Sequence, residues 1–458
     1  MKTAQHIQLL SLFGVSAGLA ISPTLLCGAD SGPKPPASDA DVLLNLFEQK
    51  GLISPQDVEK ARAELAKRAA KEPVLGSGAK LGFGDWVTGV KFNGDFRGRF
   101  EGFYADNPAS VDRNRFRYRL RAGVTFELKD QLEAGFRLAT EGDTAGNPIS
   151  SNQMFDNNAS KKGVSIDLAY GKWHALRGDE WSLSLGMGKL ENPIAVTPLV
   201  IDPDYTPEGF SQQLAYRPNK NHTLKLNAGQ FVLEELAPTS HDAYLFGGQA
   251  LWDAKWGSHW QTSLGAALLG ISGRENLNHT TGILNINEGN THVGNIATGA
   301  PHYNFNPIVV DGAVTYVLDS FPGYPGHFPI RVAGEYLNNP SAPSANEGYS
   351  AKLTFGKAGK KGQWEAGYEF RELQADAIWE ELSESDFSAF NQAPQSAGAK
   401  AGFVAGTNIR GHIVRLGYSP FDALTFNVSY WITENIRESP AGSDSDLGRL
   451  QMDAIWKF

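Results

Sequence analysis

Between Arg113 and Phe126 the chain reads RNRFRYRLRAGVTF, with Arg113, Arg115, Arg117, Arg119 and Arg121 at alternate positions. Phe116, Tyr118, Leu120, Ala122, Val124 and Phe126 take the other parity. Successive side chains of a strand point to opposite faces, so a strand carries a row of guanidiniums on one face and a greasy row on the other. A helix would scatter both classes around its circumference. Five arginines cannot enter a dry core unpaired, because an isolated buried charge is very costly. One face of this strand is therefore wet, and the opposite face is large and aromatic.

The same division recurs along the chain. From Val90 to Gly102, Val90, Phe92, Phe96 and Phe100 share one parity, and Lys91, Asp95, Arg97, Arg99 and Glu101 take the other. From Gln131 to Thr140, Leu132, Ala134, Phe136 and Leu138 oppose Glu133 and Arg137. The intervals between such segments alternate in length. Long connections fall near 142–163, 191–206, 272–304 and 375–405, and medium ones near 234–242, 338–346 and 435–446. Tight turns fall near 177–179, 217–219, 257–258, 359–361 and 419–421, and only 319–327 breaks the short class. About sixteen strands with short turns at one end and long loops at the other predict a transmembrane antiparallel β-barrel. The tail agrees, since Leu450, Met452, Ala454, Trp456 and Phe458 form one apolar row. A closing strand pairs with the first and leaves no open edge. His412 and Arg410 share parity with Val414 and Leu416, which predicts a bulge there. Trp86, Trp173, Trp181, Trp252, Trp256, Trp260, Trp364, Trp431 and Trp456 fall near strand ends or on the apolar parity, as in interfacial girdles.

The N-terminus sets the compartment. Lys2 and His6 precede an apolar run, Leu9 to Ala20, followed by small residues, which is a secretory signal pattern over residues 1–29. The single cysteine, Cys27, falls at its end, so no disulfide or cysteine metal site is expected afterwards; lipidation at Cys27 stays open. Residues 30–80 read as a Pro/Ser-rich linker and a short α-helical segment, with Ser54 and Pro55 opening its second helix. The barrel takes residues 81–458, and the helical segment is expected in the periplasm. A net charge of −9 argues against general nucleic-acid binding. No zinc spacing, nucleophile elbow or phosphate loop stands out, so no enzyme, metal or cofactor is expected.

The runs RNRFRYRLRAG, EAGFRLATEGDTAGNPIS, LGMGKLENP and GTNIRGHIVRLGYSPFDALTFNVSYWITENI resemble the putative porin family of Gram-negative bacterial outer membranes. The likeness covers most of the chain after Phe83. It implies a general or solute-selective diffusion channel for small hydrophilic solutes, surrounded by outer-membrane lipid and lipopolysaccharide; a homotrimer follows by analogy with other porins.

Within that frame, Arg97, Arg99, Arg113, Arg115, Arg117, Arg119, Arg121 and Arg137 are candidate pore-lining residues. Two readings of them stand open. One is an electropositive track for anionic solutes, about 27 Å long from Arg113 to Arg121 at ~3.4 Å per residue. The other is a ladder of cross-strand ion pairs with Asp95, Glu101 and Glu133 that stiffens the wall. The loop ENPIAVTPLVIDPDYTPE occupies the place of the third long loop, which in sixteen-stranded porins folds into the pore. Its Glu191, Asp202, Asp204 and Glu208 are the candidate acidic constriction, facing the basic wall across a transverse field; the other reading is an acidic loop lying outside in solvent. The alternatives from other classes are an outer-membrane enzyme or adhesin on the same barrel, and a soluble secreted all-β binding protein.

Overall fold

The computed structural model describes residues 54, 56, 58–60, 84–237, 241–280, 282–294, 299–392, 401–438 and 441–458. The chain divides between Lys80 and Leu81. In the first unit Gln56 and Val58 to Lys60 are helical, and Val58 N donates to Ser54 O at 3.1 Å. The expected signal segment, Cys27, the linker and the rest of the helical segment lie outside the described residues.

The second unit is one closed sheet of sixteen long strands. In order they are β1 (Val87–Ala105), β2 (Arg113–Leu128), β3 (Leu132–Thr140), β4 (Val164–Arg177), β5 (Trp181–Lys189), β6 (Glu208–Asn219), β7 (His222–Glu234) and β8 (Ala243–Trp256). There follow β9 (Trp260–Ser272), β10 (Ile308–Leu318), β11 (Phe328–Asn338), β12 (Glu347–Gly356), β13 (Trp364–Leu373), β14 (Ile409–Phe421), β15 (Leu424–Asn435) and β16 (Leu447–Lys457). Each pairs antiparallel with its sequence neighbours, and β16 pairs with β1 from Lys457↔Asp95 to Leu447↔Ala105. Closure leaves every strand with two partners, which a lipid environment demands of backbone N–H and C=O groups. A two-residue strand, Gln153–Met154, adds to β2 from the loop before β4.

The two-residue period sorts the side chains as the alternation predicts. Phe92, Phe116, Leu120, Phe136, Leu226, Val314 and Leu416 are exposed on the outer face. Arg99, Glu101, Arg117, Arg119, Gln249, Glu335, Glu369 and Gln451 are buried on the inner face. Apolar outside and polar inside is the inverse of a soluble sandwich, and it is stable only where the outer face meets hydrocarbon. Among the described residues no helix is long and apolar enough to cross a membrane.

Two details differ from the sequence expectation. Trp431 faces inward and is 3% exposed, because it shares parity with Ser429 and Thr433; its ring lies 5.9 Å from the Arg415 guanidinium and 5.7 Å from that of Arg449. The pairing of β14 is unbroken at His412, and its irregularity lies between Tyr418 and Phe421 instead. Arg410 and His412 point outward without a bulge because they sit at the long-loop end of the strand. There Arg410 pairs with Glu434 at 2.7 Å, and His412 Nδ1 and the Tyr368 hydroxyl are 2.8 Å apart. The remaining wall tryptophans, including Trp173, Trp181, Trp256, Trp260, Trp364 and Trp456, gather at the short-turn end. Tyrosines bonded to carboxylates, Tyr336 to Glu347 and Tyr349 to Glu372, mark the other end.

Three long connections enter the barrel. The 190–207 loop brings Leu190, Ile194, Leu199, Val200 and Ile201 against Phe231, Leu245, Leu269 and Leu337 of the wall. Leu277 and Phe305 of the 273–307 loop and Ile378, Trp379 and Leu382 of the 374–408 loop join the same cluster. One side of the interior is thus a dry core. The other side, along β1, β2 and β14 to β16, carries charge pairs beside a smaller apolar cluster of Phe387, Ala389, Ile409, Ile413 and Trp431. Placing arginine at the outward position of Val314 is expected to cost about 2–4 kcal/mol, measured by denaturant unfolding in lipid, whereas arginine at inward-facing Gln213 is expected to cost far less.

Candidate functional site

The polar side of the interior is built on the arginine strand. Register places Arg97, Arg99, Arg117, Arg119 and Arg121 side by side, with Arg97↔Arg119 and Arg99↔Arg117 directly opposite. Like charges facing each other across a ladder destabilise it, so the arrangement requires carboxylates. Glu101 is fully buried at the centre: Arg115 donates to it at 2.5 Å, Arg449 at 3.0 Å, Arg99 at 3.4 Å and Gln451 at 2.9 Å, with Arg117 3.5 Å away. Asp453 of β16 takes a two-pronged contact from Arg99 at 2.7 and 2.9 Å. Asp143, from the 141–163 loop, accepts from Arg117 at 2.9 Å. Asp95 accepts from Arg119 and Arg121 at 2.9 and 2.7 Å. The row is therefore not bathed in water as the bare strand pattern suggests. Arg99, Arg117 and Arg119 are each less than a tenth exposed, because loops supply partners that the strand alone does not reveal.

The 190–207 loop crosses to this wall. On one side Thr197 N donates to Glu335 of β11 at 3.2 Å, and on the other Arg119 Nη1 donates to both carboxylate oxygens of Asp204 at 2.9 Å and Arg121 donates to it at 3.3 Å. Asp202 lies deeper, accepting from the Asp204 and Ser385 backbone at 2.8 and 3.1 Å. Glu191 stands exposed at the loop's start, with Arg137 donating at 3.1 Å; Arg137 also pairs with Asp167. Glu208 belongs to the wall rather than the loop: it is the first residue of β6 and pairs with Lys189 at 3.2 Å. Arg113 lies at the rim and meets Met154 Sδ at 3.3 Å. Arg97 donates to Asn152 at 2.6 Å, and among the described residues no carboxylate lies in an ion pair with it.

Sequence reasoning missed the second acidic loop. Glu384 and Asp386 of the 374–408 loop also face the wall. Asp386 accepts from Arg99 at 3.0 Å and from Arg449 at 2.7 Å, and Glu384 pairs with Arg371. The loop is seated by Phe387 and Ala389, which pack on Ile409, Ile413 and Trp431. Trp379, Leu382, Phe387 and Phe390 in a long loop were the available signal, since large apolar side chains seek burial.

A cavity of about 640 Å³, lined by Asp167, Lys189, Asp204 and Glu208, adjoins the contact of Asp204 with the wall, and two others lie along Asp202 and Pro203. One, of about 370 Å³, is lined by Arg97, Arg99, Arg119, Asp202, Asp204, Asp386 and Asp453. The other, of about 400 Å³, is lined by Arg121, Arg137, Glu191, Tyr205 and Thr206, and it shares Asp202 and Pro203 with the first. The bond of Asp204 to Arg119 and Arg121 thus lies at the neck between them. Burial alone would raise the Asp204 carboxyl, but Arg119, Arg97 and Arg121 hold it below the ordinary range. Asp386 shows the same balance, with Arg99 and Arg449 holding it well below. Asp202 goes the other way: burial, with Asp204 alongside, pushes it up.

Three outcomes are expected. Glu101→Gln removes the buried carboxylate on which four guanidiniums converge and should lower unfolding stability by about 3–5 kcal/mol. Asp204→Ala leaves Arg119 and Arg121 with Asp95 as their remaining partner and joins the two cavities that the neck separates, so ion conductance in a planar bilayer should rise. Because Asp204 and Asp386 titrate below their unfolded values, their pairing is fully stabilising above about pH 4 and is lost as pH falls further. Asp202 protonates first, which relieves its repulsion with Asp204 and breaks no ion pair. Conductance should therefore stay flat from neutral to mildly acidic pH and change only below about pH 4.

Comparison with known proteins agrees with this architecture. A search of curated proteins finds no match. Among solved structures, the high-pH form of OprB from Pseudomonas putida is 11% identical, with 81% of this chain and 94% of that chain aligned at a TM-score of 0.50. A loop-deletion variant of OmpT, an outer membrane protein of Vibrio cholerae, is 10% identical over 81% of this chain and 99% of that chain, at a TM-score of 0.43. Residues 106–281 match the family described as "Putative porin". That segment runs from the loop before β2 into the loop after β9, so the arginine strand and the inward loop that meets it both lie within the part of the chain that is similar to that family.

Proposed function

We propose that this chain is an outer-membrane porin that passes small hydrophilic solutes by diffusion through the polar half of its interior, without catalysis. The observation that carries the reading is the clamp itself: a loop carboxylate, Asp204, set against two wall guanidiniums at a neck between two polar cavities. Positive charge on the wall and negative charge on Asp204 and Asp386 stand side by side in ion pairs that border these cavities. Such a lining favours solutes that carry a dipole or both signs of charge and disfavours bulky apolar ones.

Of the two readings of the arginines, bracing fits Arg115 and Arg117, whose guanidiniums converge on Glu101 and Asp143. The track reading fits Arg97, the cavity-lining arginine with an amide rather than a carboxylate as partner. Anion preference is accordingly weak. Assembly as a homotrimer, contact with lipopolysaccharide, and residues 1–29 as a signal peptide ahead of a periplasmic segment belong to the same proposal.

A reversal potential across a salt gradient tests it. The wild-type channel should show stable conductance steps with slight anion preference, Arg97→Ala should reduce that preference, and Asp204→Ala should increase it. A barrel that gives no steps at all would instead be a plugged enzyme or adhesin. Unchanged selectivity after Arg97→Ala would make the whole row structural.

A further inference from the structure

The 273–307 and 374–408 loops are bound to each other more tightly than two surface loops need to be. The Asn287 amide donates to Glu380 O at 2.9 Å and to Ser383 O at 2.8 Å, and the Asn290 amide donates to Ala375 O at 2.6 Å and Ile378 O at 2.8 Å. Gly406 (φ +127°) pairs with Glu288, and a Cβ there would meet Glu288 O at 2.0 Å, so only glycine allows this approach. Beside buried Glu288, this joint holds three further carboxylates, Asp376, Glu380 and Glu381, at 2%, 0% and 3% exposure. Among the described residues no lysine or arginine forms an ion pair with any of these three. The cationic side chains they meet are histidines: His292 Nε2 lies 2.7 Å from Glu380 Oε1, and His279 Nε2 lies 3.5 Å from Glu381 Oε1. Buried carboxylates without a permanent counter-charge are expensive.

We propose that His279, Glu380 and Glu381 bind one divalent first-row metal ion, zinc being the type case, which fastens the 273–307 loop to the 374–408 loop. One ligand atom from each lies within 4.8 Å of the others. A 3.5 Å separation is long for a hydrogen bond. It is the separation of two ligands on a tetrahedral ion, since bonds of about 2.0–2.2 Å place neighbouring corners roughly 3.3–3.6 Å apart. The surroundings have the form of a supporting shell. Glu380 Oε1 faces His292, whose Nδ1 lies 2.7 Å from Gly299 O, and Glu380 Oε2 accepts from Asn290 N at 2.6 Å. Glu381 accepts from the backbone of Ile286 and Asn287 at 3.1 Å. Each carboxylate keeps an oxygen with a lone pair for a metal, and its orientation is already fixed; in Glu381 that oxygen is Oε1, because Oε2 accepts from both Ile286 N and Asn287 N. An imidazole with two carboxylates suits zinc and its first-row neighbours better than calcium, which takes oxygen ligands only. Spacing along the chain gave no hint of the site, because about a hundred residues separate His279 from Glu380.

The inference is independent of what passes through the barrel. It is tested by titrating zinc calorimetrically into the full-length, refolded and chelator-washed protein in detergent, with His279→Ala and Glu381→Gln alongside and folding checked by heat-modifiable gel migration. One zinc per chain is expected, bound at least about tenfold more weakly by either variant. X-ray absorption of the zinc-loaded wild type guards against a variant that fails to fold, and should show a first shell of nitrogen and oxygen with one imidazole. Absence of saturable binding, equal affinity in folded variants, or a shell without imidazole would each overturn the proposal.

Discussion

Guanidiniums in adjacent strands of a closed wall must either be neutralised or drive the wall apart. Here the carboxylates that neutralise them come from three directions. Glu101 and Asp95 stand in the neighbouring strand, Asp453 stands across the closing seam, and Asp143, Asp204 and Asp386 hang from loops. The loops are therefore part of the wall's electrostatic balance. Removing a loop acid takes a counter-charge from a buried cation, which is why the interior cannot be treated as a fixed pipe with decorations.

The same loops solve a packing problem. A sixteen-stranded cylinder is too wide for side chains alone to fill. Leu199, Val200, Trp379 and Leu382 occupy one side of it as an ordinary hydrophobic core, and charge pairs line the rest. The boundary between the two regions falls at Ile201–Asp202, one residue step from apolar cluster to buried acid. Position along the 190–207 loop is in this way fixed at both ends by different forces, burial at Leu199 and ion pairing at Asp204.

Much of the barrel was legible in the sequence because its period is two and its two faces meet different solvents. Strand parity, the alternation of short and long connections and the pairing of the last strand with the first all follow from that single rule. Local exceptions were harder. Trp431 was expected on the outer side by its residue type, yet parity with Ser429 and Thr433 and two flanking guanidiniums place it inside. Arg410 and His412 suggested a bulge because charge was assumed to point inward, whereas near the long-loop rim an outward charge finds Glu434 and polar surroundings. The partners of the arginine row were the least legible. Asp386 lies 287 residues from Arg99 along the chain, and no periodicity connects them. Only folding of the 374–408 loop brings them together.

The unequal ends of the barrel bear on how it floats. Indole rings prefer the headgroup level and resist displacement from it in either direction. With tryptophans crowded at the short-turn end, that end is moored, while the tyrosine–carboxylate end is held less firmly. A change in bilayer thickness would then be absorbed almost entirely on the loop side, where lipid would stretch or thin to follow the protein. The inward loops hang from that same end, so membrane strain would reach the passage from one direction only.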